Sequence, residues 1–177
     1  RARGPVGTVV ARDLLGLRRS PGALVTGTVL SGLAAYGLVH SASRGAPSVI
    51  ALVCLLVGYF GVGAWSEGLR LQGDNTGTPP LIGLPARTEA LAHLVLPGLL
   101  YAVVALVVGG VTLALGGGSG LGIGWAVVMV WLLLGPQLMA AFRGLPPMAV
   151  FTPGRGIGTT ALWYAVPMLV PAVVGTA

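Results

Sequence analysis

The sequence predicts an all-α fold: a polytopic transmembrane bundle of about five spans with a cytoplasmic amino terminus. Three observations predict it. Only 8% of the 177 residues are charged and mean hydropathy is +0.91. The apolar residues gather into five long runs, and the arginines fall almost entirely on alternate connections between them. Soluble domains carry about 25% charged residues, so 8% leaves too few to cover a water-facing surface.

A spanning helix needs roughly 17 to 25 mostly apolar residues. Spans are expected at 23–39, 49–65, 91–115, 121–142 and 161–177, which divides the chain into a basic lead-in over 1–22 and a bundle over 23–177. The last span carries Pro167 and Pro171 and is expected to kink; bundles tolerate this where neighbours satisfy the freed carbonyls. The first strong apolar run begins beyond residue 20 without a following small-residue cleavage pattern, so no cleavable signal peptide is expected.

Charge sets the orientation. All ten basic residues are arginine, a usage in keeping with a high-GC bacterium. Arg1, Arg3, Arg12, Arg18, Arg19, Arg70, Arg87, Arg143 and Arg155 fall on one side of this layout, and Arg44 alone falls on the other. The positive-inside rule assigns the larger group to the cytoplasm of an inner (plasma) membrane. Arginines placed between apolar runs, without a clustered basic face, exclude nucleic acid as the expected partner. Trp65, Trp163 and Tyr164 fall at the inner interface of this layout and Tyr36 and Trp125 near the outer one, whereas Trp131, Tyr59 and Tyr101 lie deeper, where packing between helices is expected.

Before the first span, Val9, Val10, Leu14 and Leu17 share one helical arc, with Arg12, Arg18 and Arg19 opposite. This pattern fits a short helix in the inner headgroup layer, or an irregular basic tail. The outer connections are 40–48 and the glycine-rich 116–120, the latter expected to be flexible. The inner ones, 66–88 and 143–160, are longer and face any soluble partner.

Apolar faces gain little by meeting in lipid, so close approach at small residues drives association. Ala23, Gly27, Ser31 and Ala35 in the first span, and Gly98, Ala102, Ala105 and Gly109 in the third, each lie on one helical face. They are expected to be packing seams, with a substrate path lined by bare backbone as the alternative. Pro97-Gly98 and Gly135-Pro136 interrupt the third and fourth spans, as kinks or as the lining of a transport cavity.

Catalytic residues are scarce. No span carries a central Asp, Glu, Lys or Arg, and such residues mark proton relays and ion sites. The four acids, Asp13, Glu67, Asp74 and Glu89, are all expected at interfaces or in loops. Cys54 is the only cysteine, which excludes an internal disulfide. His93 sits about one turn into the third span. It is expected to bond a carbonyl or headgroup, with lipid chemistry as the alternative; His40, the other histidine, lies on the opposite side. The segment from Gly154 to Thr160 has the glycines of a phosphate loop, but neither its lysine nor a preceding strand. No metal, cofactor or enzymatic activity is expected.

The segment 67–89 is the most distinctive. Polar turn residues, Gly73-Asp74-Asn75-Thr76-Gly77, precede an apolar patch from Leu81 to Leu84-Pro85. The patch is expected either to dock a soluble partner or to lie back on the membrane.

The order of these features resembles the permeases of ABC-2-type exporters, particularly actinobacterial ones. The basic lead-in, Leu69-Arg70 after the second span, Leu84-Pro85, then His93 and Pro97, and finally Thr152-Pro153-Gly154 carry the resemblance. It covers about half the chain. It implies a permease half paired with a cytoplasmic ATPase and with a second half or another membrane subunit. It also implies that the loop after the second span transmits ATPase movement, with Glu67, Arg70, Asp74, Arg87 and Glu89 bordering the coupling surface. The alternative is a non-transporting membrane subunit that anchors or assembles a larger complex.

Overall fold

The computed structural model describes residues 4–45, 48–75, 83–144, 163 and 165–170. Among these residues the regular structure is entirely helical. The helices are α1 (Gly4–Arg19), α2 (Pro21–Arg44), α3 (Ser48–Ala64), α4 (Glu67–Asp74), α5 (Ala86–Ala114), α6 (Gly120–Val128) and α7 (Val130–Phe142). By length and composition three segments can cross a membrane: α2, α5 and the combined α6–α7 over Gly120–Phe142. A fourth is possible if α3 and α4, bent by 71° at their junction, form one broken span. Trp163 and residues 165–170 are helical. The rest of the expected fifth span, the glycine-rich 154–160, Thr152-Pro153-Gly154 and the Leu81-Ile82 part of the apolar patch lie outside the described residues.

Successive long helices run antiparallel, and contacts at both ends fix this. Ser43 near the end of α2 meets Ser119 at the start of α6, with their hydroxyl oxygens 3.0 Å apart. At the other end, the Trp65 indole after α3 donates to the Leu24 carbonyl at the start of α2, at 3.5 Å. One end of the bundle therefore gathers α1, α4, the start of α5 and the end of α7, with Arg12, Arg18, Arg19, Arg70, Arg87 and Arg143. Arg44 closes α2 at the other end.

The most extensive pairing is α2 against α3, built on small residues from both sides. Gly27, Ser31, Ala34 and Ala35 are buried on α2, while Ala23 is half-buried. A Cβ at Gly61 would lie 2.8 Å from the Ser31 backbone nitrogen, and one at Gly58 would meet Ala34 at 3.2 Å. Backbones this close gain dispersion contact that bulkier residues would prevent. Helix α5 buries two of its four expected seam residues, Ala105 and Gly109, on a stripe that also carries larger side chains. Pro97, Tyr101, Ala105, Gly109 and Thr112 face inward while Gly98 and Ala102 are only half-buried. Tyr101, fully buried, fills the centre of that face.

Neither expected proline break ends a helix. Helix α5 continues through Pro97 and α7 through Pro136. The irregularity of the last long span falls at Met129, seven residues before Pro136. The 116–120 connection is ordered by contacts. Gly116 takes a left-handed φ of 72°, Gly117 N–H donates to Thr112 O at 2.9 Å, and the Ser119 hydroxyl caps α6 through Gly122 N–H.

Packing sets two aromatic placements. Trp65, at the end of the bundle that gathers the arginines, is 4% exposed and packs on Gly27, where the glycine leaves room for an indole. Trp131 is 74% exposed on the outside of the bundle, and the inward positions beside it belong to Val130, Leu133 and Leu134.

Candidate functional site

The only strongly polar constellation inside the described fold forms where α1, α4 and α5 meet. Helix α1 turns Val9, Asp13 and Leu17 inward, a stripe at steps of four. Val9 is fully buried and Leu17 nearly so, while Leu14, on the same apolar arc of the sequence, is exposed. The inward face is thus rotated from the purely apolar arc and centres on an acid. Helix α5 begins after Pro85, whose carbonyl accepts from Thr88 and Glu89 N–H at 2.9 and 3.1 Å. Glu89 lies in the first turn, where the helix dipole favours an anion. His93 follows one turn later on the same face.

The two stripes meet at His93. Its Nδ1 lies 2.6 Å from Asp13 Oδ2, with side chains 0% and 8% exposed. Its Nε2 lies 3.0 Å from Arg12 Nη2. A guanidinium only donates, so Nε2 accepts; the imidazole proton then sits on Nδ1 and is donated to Asp13. A neutral ring satisfies both contacts and leaves neither nitrogen open to a substrate. Arg12 also reaches Glu89 at 3.9 Å, with side chains 51% and 12% exposed. Burial demands this pairing, since a carboxylate removed from water without partners is expelled or neutralised.

Helix α4 closes the node from above. A Cβ at Gly68 would fall 2.4 Å from Asp13 Oδ1 and 2.8 Å from His93 Nδ1, so the helix passes there only because position 68 is glycine. The inward arc of α4 holds Gly68, Leu69, Gln72 and Gly73, with Leu69 buried. A Cβ at Gly73 would meet the Ala141 carbonyl oxygen of α7 at 2.0 Å. The opposite arc presents Glu67, Arg70, Leu71 and Asp74, all exposed.

The segment after α3 therefore starts as a helix, not as the loop expected from residue 66. Glu67, Arg70 and Asp74 share its outer face, and Arg87 is exposed at the start of α5. Glu89 is drawn away from that surface into the Arg12–His93–Asp13 node. Histidine 93 itself bonds a carboxylate and a guanidinium from α1, where a carbonyl or headgroup was expected. Helix α1 packs on the bundle through this contact and through Val9 and Leu17, with Arg18 and Arg19 exposed.

A second polar contact joins α3 to α7. Buried Gln137 donates from Nε2 to the Tyr59 carbonyl at 2.7 Å. Interhelical hydrogen bonds of this kind average about 0.6 kcal/mol. Sequence reasoning passed over Gln137 because an amide carries no charge to flag it. It also missed the Asp13–His93 pair, although the steps Val9, Asp13, Leu17 were visible. Among the described residues no three His, Cys, Asp or Glu side chains converge to hold a metal.

No protein-family model, curated protein or solved structure matches this chain.

Proposed function

We propose that this chain is an integral membrane permease subunit of an ABC-type exporter, driven by a separate cytoplasmic ATPase. It would sit as a multi-pass protein in the inner (plasma) membrane, with about five spans, its amino terminus in the cytoplasm and a second permease half or another membrane subunit beside it. The role is non-enzymatic in the chain itself, with energy supplied by the partner.

One observation carries the reading. The connection after α3 is a short helix bent by 71° from it, with Glu67, Arg70 and Asp74 on its outer face. It lies at the bundle end that gathers the arginines, the end the positive-inside rule assigns to the cytoplasm. Such an element can receive a push from a soluble partner and pass it to the helices. The resemblance of the sequence to ABC-2-type permeases implies that role for the same segment.

The test is purification from its native membrane in mild detergent, followed by identification of co-purifying chains. An ATPase is expected, and reversing the outer face of α4 (Glu67→Arg, Arg70→Glu, Asp74→Arg) should release it while the bundle stays folded. A complete, stable assembly lacking any ATPase overturns the proposal.

A further inference from the structure

We infer that the Asp13–His93 pair is a releasable clasp between α1 and α5, with α4 as the lid that controls it. Three elements contribute to one point. Helix α1 supplies Asp13 and Arg12, α5 supplies His93 and Glu89, and α4 supplies the Gly68 backbone that lies over the pair. The tie between α1 and α5 is polar at its centre, with a single contact of 2.6 Å shielded from water. The strength of such a contact depends on its surroundings. Held dry, a charge-assisted hydrogen bond is strong, whereas with water admitted both partners find replacement hydrogen bonds and the contact weakens.

Gly68 is what keeps water out. Its backbone approaches so closely that a methyl group there would collide with Asp13 and His93. Leu69, 1% exposed, anchors the lid beside it. Any displacement of α4 away from the bundle uncovers the pair and loosens α1. Any inward seating of α4 tightens it. The clasp thus makes the position of α1 depend on α4, without direct contact between α1 and whatever binds the outer face of α4. It is a property of this chain alone, so its failure is distinguishable from failure of the permease reading.

The test uses the full chain in lipid nanodiscs, without any ATPase, in a Cys54→Ala background. Spin labels at Leu15→Cys on α1 and Leu91→Cys on α5, both exposed positions, report the separation of the two helices. Exchange of the imidazole C2 hydrogen, read by mass spectrometry at fixed pH, reports access of water to His93 with His40 as the internal reference. The closed clasp gives one narrow distance and slow exchange at His93. Gly68→Ala should broaden the distance and speed His93 exchange several-fold while leaving His40 unchanged. Leu69→Ala, which loosens the lid without adding bulk, should do the same and decides the matter if Gly68→Ala does not fold. Asp13→Ala should broaden the distance by itself, and adding Gly68→Ala should broaden it no further. Folded lid variants with wild-type distance and exchange overturn the clasp. So does a Gly68→Ala effect that persists undiminished in the Asp13→Ala background.

Discussion

Gly27 of α2 and Trp65 after α3 meet so closely that a Cβ on the glycine would lie 2.1 Å from the indole Nε1. The indole is buried and its N–H points to the Leu24 carbonyl, so it has little freedom to withdraw. Gly27→Ala should destabilise the bundle by about 1–3 kcal/mol, the usual cost of overpacking. Thermal unfolding in detergent checks it, and Trp65→Phe, which is smaller, should relieve part of the loss.

Glycines along the helices should divide sharply by what they face. A Cβ at Gly73 would strike the Ala141 backbone oxygen, and one at Gly37 would strike only the Cys54 Sγ, which can rotate away. Gly73→Ala should therefore be the more damaging of the two. Gly110 in α5 has open space around it, and Gly110→Ala should stabilise by about 0.5–1 kcal/mol, the helix-propensity difference. In one detergent the melting temperature should rise from Gly73→Ala through Gly37→Ala to Gly110→Ala.

Removing one partner of the buried pair should cost more than softening it. His93→Ala leaves the Asp13 carboxylate enclosed without its donor, and breaking a buried pair in this way typically costs about 3–5 kcal/mol. Asp13→Asn keeps an acceptor oxygen for the Nδ1 proton and should cost distinctly less. Near-equal losses in a denaturation series on both variants would contradict donation from His93 Nδ1 to Asp13.

Ser119 holds two contacts at the far end of the bundle. It accepts from Gly122 N–H at 3.1 Å and meets the Ser43 hydroxyl at 3.0 Å. Ser119→Ala should cost about 1 kcal/mol, as for loss of a helix N-cap. Ser119→Asp, which keeps a capping oxygen, should recover part of it in the same unfolding assay.

The proposed orientation is checked by thiol labelling in intact cells, again with Cys54 replaced by Ala. Arg44→Cys should react with a membrane-impermeant maleimide from outside. Arg87→Cys should react only after permeabilisation. Reversal of these two results would overturn the cytoplasmic assignment of the amino terminus.

Most helix positions were legible because they depend on local information. Runs of apolar residues over about 20 positions and punctuation by glycine and proline located α3 and the α6–α7 segment to within one residue at each end, and missed the end of α2 and the start of α5 by five. The short helix α4 was not legible. Its inward arc contains two glycines and a glutamine, a pattern that looks like a loop until the neighbours that need close approach are known. The rotated face of α1 escaped for a related reason: an acid flanked by apolar residues reads as a break in a stripe unless its histidine partner is in view.

The sequence by itself determined that this chain is helical and apolar enough to cross a membrane several times, since hydropathy and length act on each segment separately. Tertiary structure alone decided which small residues face another backbone, that Tyr101 joins Ala105 and Gly109 on the buried α5 face, and that Asp13 finds His93 across 80 positions. The physical reason is that burial of a charge or of bare backbone depends on what lies opposite. That is fixed only when the helices have assembled.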